Sequence, residues 1–232
     1  EHLALSANVY LIEYWDMLLE TGRLTDVGYA IKENVDRSWR RGVELAAGWQ
    51  ALPWLRADAN LTLSTNMIRN YTEYVQHFDG DWNLTGKTTA FSYGKARMLM
   101  SPSLCGMARL AFTPFVNMFS NSLKTTALAI DGKFVGKQFL DNTMTDSRSI
   151  PAYFVSNLSL THEFILSHSG SGLDAGKLGI GAYVNNLFNN MYYADGWCWK
   201  NIADGDNGEL IDGIGIYPQA PVNFMLKVTY LF

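Results

Sequence analysis

Charged residues are scarce in this sequence. They make up 17% of its 232 residues, whereas soluble domains usually carry about 25%. Hydrophobic residues reach 48%, yet no run of 18 apolar residues exists, so the sequence predicts no transmembrane helix. No signal peptide is visible, and the chain opens on Glu-His, which we interpret as a processed chain or a fragment. The small acidic excess, 22 Asp and Glu against 18 Lys and Arg, argues against nucleic acid as a partner.

Motifs for catalysis or metal binding are also missing. The two cysteines, Cys105 and Cys198, lie far apart and form no redox or metal motif, and we predict no disulfide between them. The four histidines lack metal-binding spacing, and no serine sits in a nucleophile motif. The DGDNG stretch at 204–208 resembles the start of a calcium loop but lacks the full spacing, so a solvated acidic turn is favoured. We therefore expect no catalytic residue, no metal site, no cofactor and no enzyme activity.

What the sequence does contain is alternation. Residues 55–66 place Leu55, Leu61 and Leu63 on one face and polar side chains on the other, which predicts a β-strand with one apolar face. Similar patterns occupy 3–19, although this one blurs after Ile12, and 41–50, 178–185 and 220–232. Weaker candidates lie at 98–112, 118–137 and 151–167, giving eight predicted strands in all.

The connections between these strands alternate in length. Short ones at 51–54, 113–117 and 167–176 separate longer ones at 20–36, 67–97, 140–150 and 189–219. Short turns at one end and long loops at the other are typical of a transmembrane β-barrel. A soluble β-sandwich also alternates in polarity, but loops of about 30 residues are uncommon in it. Aromatic residues near the strand ends favour the barrel, since such rings prefer the membrane interface.

Five stretches carry a resemblance to a known family. They are ANVYLIEYWDMLLETGRLTDVG (7–28), SWRRGVELAAGW (38–49), FVGKQFLDNTMTDSRSIPAYFVSNLSL (134–160), AYVNNLFNNMYYADGW (182–197) and YPQAPVNFMLKVTYLF (217–232). In this order they resemble the C-terminal part of a TonB-dependent outer-membrane receptor of the Bacteroidetes type. The VNNLFN motif and the terminal phenylalanine are the most specific of these features.

The resemblance implies an all-β fold. It corresponds to about the last eight strands of an antiparallel, 22-stranded transmembrane β-barrel with long extracellular loops. Residues 1–232 would form a C-terminal barrel segment in the bacterial outer membrane, and the plug domain and first strands have no match here. The implied partners are the plug of the same parent chain, the TonB complex, the barrel-assembly machinery, membrane lipids and lipopolysaccharide. We expect the segment not to hold its native shape alone, because an opened barrel exposes two strand edges.

Candidate site residues follow from this interpretation. Aromatic side chains on two long loops suit a flat, partly apolar ligand, although they could instead pack on neighbouring loops or lie in the aromatic girdle: Tyr192, Tyr193, Trp197 and Trp199 on one, and Tyr71, Tyr74, His77 and Trp82 on the other. The closing strand, with Phe224, Tyr230 and Phe232, resembles the signal read by the barrel-assembly machinery and also suits interfacial anchoring. Polar residues of the inner face would line the lumen and contact the plug: Glu44, Arg56, Asp58 and Asn60.

The leading hypothesis is part of a TonB-driven importer of a scarce ligand. A ferric siderophore or related iron complex is the favoured class by resemblance, and cobalamin, haem or a glycan remain open. The alternative from another class is a complete small eight-stranded outer-membrane barrel with a structural or adhesion role. A membrane enzyme such as a phospholipase is disfavoured because no nucleophile and base occur together.

Overall fold

The computed structural model describes residues 2–25, 27–117, 124–167 and 174–232. The strands in this part are β1 Leu3–Leu24, β2 Ala30–Leu52, β3 Leu55–Phe78, β4 Leu84–Arg97, β5 Leu104–Phe112, β6 Ala127–Val135, β7 Gln138–Phe139, β8 Ser149–Ile150, β9 Tyr153–Ser167, β10 Asp174–Asn185, β11 Tyr193–Ala203, β12 Glu209–Pro218 and β13 Asn223–Leu231. Two short 3₁₀ turns occupy Asp146–Arg148 and Asp204–Asp206. None of the described residues forms a helix that is both long and apolar enough to cross a membrane.

Eight strands form one continuous antiparallel path in the order β1-β2-β3-β5-β6-β9-β10-β13. These are the eight strands that the alternation predicts, although several bounds differ, and β1, β2 and β3 extend beyond the predicted 3–19, 41–50 and 55–66. The candidate at 98–112 begins only at Leu104, and the candidate at 118–137 begins at Ala127, with 118–123 outside the described residues. The predicted turn at 167–176 likewise contains residues 168–173, which lie outside them.

The path has two free edges. In the described residues, the outer edges of β1 and β13 do not pair with each other. A complete eight-stranded barrel would need that pairing to satisfy its edge backbone groups in lipid. The sheet therefore offers no support for the small closed barrel.

Each strand has one apolar and one polar face. Residues directly opposite in an antiparallel ladder lie on the same face, so side chains can be followed from strand to strand. One row crosses all eight strands on the apolar face: Leu3, Trp49, Ala57, Leu110, Ile130, Leu158, Val184 and Phe224. The adjacent row on the other face is small or polar: Gly48, Asp58, Arg109, Asp131 and Asn157. The sheet thus has a broad belt of exposed apolar side chains on one side only.

A reversal row interrupts this pattern across the first four strands. Asp16 and Asn70 both have φ of +54°, a left-handed conformation that Asp and Asn adopt more readily than most residues. The flanking pairs align them with Asp36 and Gly94, so positions 16, 36, 70 and 94 form one line across β1 to β4. We use "below" for the side of the row towards the 53–54 turn and "above" for the opposite side. Below the row, odd-numbered residues of β1 to β3 lie on the apolar face. Above the row they lie on the other face.

A small core shows this change of phase. Ile68 and Ala96 from below the row pack with Val35 and Tyr71 from above it, all of them buried. Met17 and Leu19 pack against the same cluster. Even-numbered residues from below and odd-numbered residues from above therefore share one face. This is the polar face of the eight-stranded path, which we call the wall.

The predicted long loops are largely strand, which corrects the expectation of irregular connections. The 20–36 connection is largely a continuation of β1 and β2, in which the backbone N–H of Thr25 donates to the carbonyl oxygen of Tyr29, and 67–97 is the upper half of β3 with β4. The 189–219 loop is the hairpin of β11 and β12. Only 136–152 is mainly irregular, with the two-residue strands β7 and β8 pairing inside it. These connections are hairpins because their backbone groups pair with one another.

Candidate ligand-binding site

Three segments meet above the wall on its polar-face side, and we call them the hairpin cluster: 70–97 (upper β3 and β4), 136–152, and 193–218 (β11 and β12). The end of β3 pairs in parallel with β11, where Ile202 lies opposite His77. At the hairpin tips, Gly205 and Gly80 are so close that a Cβ on Gly205 would come within 2.7 Å of the Gly80 Cα. The two loops predicted to bind ligand therefore form one sheet of order β4-β3-β11-β12.

Arg148 lies at the centre of the cluster, with its side chain only 2% exposed. Its Nη1 donates to Glu73 Oε1 at 2.8 Å, and its Nε forms an ion pair with Asp141 Oδ2 at 2.9 Å. Asp212 Oδ2 of β12 lies 3.9 Å from the Arg148 Nε, and the hydroxyl of Thr143 accepts a hydrogen bond from the Arg148 Nη2 at 2.9 Å. One guanidinium thus connects segment 136–152 with both hairpins, and its planar set of donors suits several acceptors at once.

Glu73 is the main acceptor in this network. Besides Arg148, it accepts from Lys200 Nζ at 2.8 Å and from the Tyr93 hydroxyl at 3.0 Å. Burial by itself would raise the pKa of Glu73, but the hydrogen bonds from Lys200 and Arg148 outweigh burial and hold the pKa below its ordinary value. Burial, followed by the nearby Glu73 charge, raises the pKa of Tyr93 to about 12. At neutral pH, Glu73 is therefore ionised and Tyr93 is a hydrogen-bond donor.

A cavity of about 150 Å³ adjoins this network. Its lining combines the buried charges with apolar and aromatic groups, among them Tyr74, Leu140, Cys198 and Trp199. Burial, followed by the Asp141 charge, raises the pKa of Cys198 to about 12, so its thiol is protonated and not nucleophilic at neutral pH. Among the described residues, no group of three or more His, Cys, Asp or Glu side chains is arranged to hold a metal ion.

Two tryptophans of β11 lie flat on β12. Trp197 is opposite Gly215 and Trp199 is opposite Gly213, and a Cβ on either glycine would lie within 3 Å of indole ring atoms. The side chains between and beyond them, Cys198 and Lys200, point to the opposite face, towards Asp141 and Glu73. Glycine at 213 and 215 therefore lets two indole rings form a flat aromatic surface, with 53% of Trp197 exposed.

The other residues predicted on the first loop lie at its base. Tyr192 stacks on Tyr153, with the ring centroids 4.7 Å apart. Tyr193 is the first residue of β11 and is half-buried. These two rings therefore lie beside the wall rather than near the tryptophan pair.

The residues predicted on the second loop are mostly engaged within the protein. Tyr71 is buried, and its hydroxyl donates to the carbonyl oxygen of Glu20 at 2.8 Å. Tyr74 lies under the guanidinium of Arg23, 4.5 Å from its ring centroid. We therefore correct the picture of exposed loop aromatics for Tyr71, which is part of the upper core because the reversal at Asn70 turns it inward.

His77 and Trp82 lie near the tip of the β3/β4 hairpin. Both His77 nitrogens have partners: Nδ1 lies 2.7 Å from Asp204 Oδ1, and Nε2 lies 2.8 Å from Thr89 Oγ1. The hydrogen bond with His77, together with the nearby charge of Lys87, outweighs the opposing effect of burial and holds the pKa of Asp204 below its ordinary value. Trp82 is 58% exposed, with its ring 6.1 Å from that of Phe78. His77 thus joins the two hairpin tips, whereas Trp82 is open to solvent.

The predicted lumen residues share the polar face of the wall. Glu44 accepts a hydrogen bond from Asn8 at 3.0 Å, and Arg56 donates to both carboxylate oxygens of Asp58 at 2.7 Å. Arg56 and Asp58 pair along their own strand because side chains two residues apart point the same way. Asn60 lies opposite Ala46 and Met107.

The predicted closing residues are all exposed at the free edge strand. Phe224 and Tyr230 are on the apolar face of β13, and Phe232 follows its end, with its ring 6.1 Å from Tyr230. Their role in barrel assembly stays a prediction.

The charged centre of the cluster was not predicted from the sequence. Glu73, Asp141, Arg148 and Lys200 come from three separated segments, and no local spacing links them. The sequence signal for this centre is the overall scarcity of charge, because each charged residue on a predicted loop needs either an ion-pair partner or solvent.

Comparison with known proteins identifies the family. The family described as TonB dependent receptor-like, beta-barrel, matches residues 1–187, and no curated protein matches the chain. Among similar solved structures, the siderophore receptor PiuA from Acinetobacter baumannii has a TM-score of 0.60 at 13% identity, over 99% of this chain and 26% of its own. The ferric-catecholate import receptor Fiu from K12 E. coli has a TM-score of 0.56 at 13% identity, over 99% and 25%. The copper transporter OprC has a TM-score of 0.60 at 16% identity, over 100% and 29%.

This chain spans about a quarter of the length of those receptors. It has their fold, and the family consists of outer-membrane receptors and transporters rather than enzymes. The apolar belt of the wall then faces lipid. The chain belongs to the TonB-dependent receptor-like β-barrel family.

Proposed function

We propose that this chain is the C-terminal barrel segment of a TonB-dependent active transporter of the Bacteroidetes type, which imports a ferric siderophore or a related iron complex. The plug domain and the first strands of the barrel would precede it in the parent chain. The inner-membrane TonB complex would act through that missing part. The free edge of β1 would pair with a preceding strand, and the free edge of β13 with the first strand of the barrel.

One observation carries the ligand-binding part of this proposal. The hairpin cluster brings three segments together on the polar-face side of the wall and presents the flat surface of Trp197 and Trp199 on the face of β11 opposite to Cys198 and Lys200, which line the cavity. Flat aromatic groups suit the planar or partly apolar chelating groups of iron complexes. Trp82 on the neighbouring hairpin adds a further exposed ring, whereas the buried Tyr71 packs the cluster from below.

The names of similar structures favour the same ligand class. Two of them are named as receptors for siderophores or ferric catecholates and one as a copper transporter. At 13–16% identity these likenesses show the fold, so the iron complex is an inference for this chain. The polar face with Glu44, Arg56, Asp58 and Asn60 would line the lumen and contact the plug.

A binding assay on the full protein that carries this chain tests the proposal. The protein is purified from outer membranes in detergent and titrated with a ferric tris-catecholate, haemin, cyanocobalamin and maltoheptaose, with tryptophan fluorescence and calorimetry as readouts. We expect the ferric complex to bind, and the double variant Trp197→Ala/Trp199→Ala to weaken it at least tenfold, about the loss of one 1.4 kcal/mol contact. Trp49→Ala in the apolar belt is the matched control and should bind normally.

The outcomes separate the parts of the proposal. Preferential binding of haemin, cyanocobalamin or maltoheptaose would replace the iron complex as the ligand. Equal binding by the double variant and Trp49→Ala would remove the tryptophan surface from the site. Uptake of the ferric complex by cells in which the inner-membrane proton gradient is collapsed would contradict TonB-driven transport.

A further inference from the structure

The apolar face of the wall is not apolar at its upper border. Arg41 lies one row above the belt, since the next row below holds Val9, Val43 and Leu63. Two rows higher, Arg37, Arg69 and Lys95 lie opposite one another on three adjacent strands, directly below the reversal row. Four cations therefore gather on the lipid-facing side at the level where the belt ends.

The four cations line a shallow depression. It has a volume of about 390 Å³ and is lined by Arg37, Trp39, Arg41, Arg69, Gly94 and Lys95. Gly94 leaves the floor open, because a Cβ at this position would meet no other atom within 4 Å. We call these six residues the basic depression. Its volume falls within the usual range of small-molecule sites, about 300–1,000 Å³.

The charges of the depression are only partly neutralised within the chain. Glu13 binds both Arg37, at 3.2 Å, and Arg41, at 2.5 Å. Arg69 and Lys95 are exposed, and no ion pair to either is found in the part of the chain that the structure describes. Arg69 and Lys95, which have no ion-pair partner among the described residues, thus lie beside two arginines that share a single carboxylate.

We propose that the basic depression binds a phosphate group of an outer-leaflet lipid headgroup. Arginine and lysine side chains suit phosphate oxygens, and arginine can donate two parallel hydrogen bonds to one phosphate. The position at the end of the lipid-facing belt is where a headgroup begins, and Trp15 and Trp39 beside it suit the same interface. An exposed, shallow site suits a membrane lipid, because the acyl chains can extend below the headgroup along Val9, Val43 and Leu63.

This inference rests on the proposed orientation, in which the hairpin cluster lies outside the cell. The lipid of that leaflet is then a phosphorylated glycolipid, and its phosphates would contact Arg69 and Lys95 together with Arg37 of the same row. The bound lipid would stabilise the wall directly beneath the reversal row, where the strand pattern changes phase.

Lipid retention by the full protein in detergent tests the proposal. The protein is loaded with bis-phosphorylated lipid A, washed and examined by native mass spectrometry, with dephosphorylated lipid A and inorganic phosphate as the other probes. Each cation near an anionic lipid contributes about fivefold to binding, so Arg69→Gln/Lys95→Gln should lower retention about 25-fold. The matched control, Lys133→Gln/Lys227→Gln, removes the same charge from exposed lysines of the polar face and should retain lipid normally.

Each result decides the proposal. Equal retention by both double variants, or equal retention of dephosphorylated lipid A, would overturn the phosphate site. If the protein binds inorganic phosphate but not lipid A, the depression is a site for free anions instead of a lipid site. If Arg69→Gln/Lys95→Gln fails to fold, as judged by heat-modifiable gel migration, the single variant Lys95→Gln should still lower retention about fivefold.

The ferric-complex assay keeps this test separate from the proposed function. Loss of lipid retention with normal ferric-complex binding supports the depression alone. Normal lipid retention in a protein that binds no ferric complex would leave the depression intact and remove the proposed ligand.

Discussion

In the wall below the reversal row, Leu61 faces lipid and its neighbour Asn60 faces the opposite side, and this alternation continues across all eight strands. In the hairpin cluster above it, the largest fully buried side chain is Arg148, held by carboxylates from two other segments and its own. The wall gains stability by presenting apolar groups to lipid, and the cluster by pairing buried charges. The chain therefore changes its means of stabilisation where it leaves the membrane, because polar groups can be hydrated or paired outside the hydrocarbon, whereas no water satisfies them within it.

The largest expected effect is the loss of Arg148. Arg148→Met leaves the buried Glu73 and the partly buried Asp141 without their shared cation, and the loss of one partner of a buried ion pair costs about 3–5 kcal/mol. We expect hydrogen exchange of β11 and β12 to accelerate strongly while exchange of the wall strands is unchanged.

The control lies in the same segment. Lys137 pairs with the 84% exposed Asp146, and an exposed pair of this kind contributes about 0–1 kcal/mol. Lys137→Met should therefore leave exchange of β11 and β12 nearly as in the parent protein. Similar acceleration in both variants would show that Arg148 does not hold the cluster together.

A charge on the lipid-facing side should have the next largest effect. Leu61→Arg places a cation in the belt and should destabilise the protein by up to about 2–4 kcal/mol, depending on depth. Asn60→Arg, one residue away on the polar face, should have little effect. Urea titration of the full protein folded into phosphatidylcholine vesicles measures both, and a larger loss for Asn60→Arg would mean that the two faces are assigned the wrong way round.

The reversal row can be tested at Asn70. Asn70→Val places a β-branched residue in the left-handed conformation, which costs about 1–2 kcal/mol for ordinary L-residues. Asn70→Gly should be tolerated because glycine adopts positive φ freely. Urea titration again provides the measurement, and equal stability of the valine and glycine variants would contradict the change of phase at this position.

The smallest expected effect is a pH dependence of the cluster. Because the pKa of Glu73 is lower in the folded protein than its unfolded value of 4.5, its carboxylate stabilises the cluster above pH 4.5. This contribution is lost as the pH falls from 4.5 through the folded-state pKa. Hydrogen exchange of β11 should therefore accelerate on acidification into this range, after correction for intrinsic rates, more than exchange of β5.

The variant Glu73→Gln tests the origin of this dependence. Its cluster should be weaker at neutral pH and should respond less to acidification, because no carboxylate remains to be protonated at this position. An unchanged acid response in Glu73→Gln would assign the effect to another group.

The wall could be predicted from the sequence because period two is a local signal. The row from Leu3 to Phe224 lies on one face simply because each strand alternates, and pairing only brings the apolar faces together. The blurred pattern after Ile12 has two physical causes: Glu13 is a charged residue on the apolar face, where it pairs with Arg37 and Arg41, and the left-handed Asp16 shifts the phase of the residues that follow it. Asp and Asn are also common in turns, so residue type alone does not indicate that Asp16 and Asn70 lie inside strands.

The cluster could not be predicted in the same way. Glu73 is buried on the same side of β3 as Tyr71 and Val75, and it is tolerated there because Arg148 and Lys200 arrive from distant segments. The tryptophan surface depends likewise on Gly213 and Gly215 of the opposite strand. Such sites are determined by long-range pairing, which no local spacing reveals.

The most direct test of the account is the intact mass of the protein that carries this sequence, purified from native outer membranes. This chain has a mass of 26.0 kDa and spans about a quarter of the similar receptors. We predict a mass about four times larger, with the plug and further strands in the same polypeptide. A heat-modifiable, detergent-soluble monomer close to 26.0 kDa would contradict the account, because the free edges of β1 and β13 would then have no partner within a larger barrel.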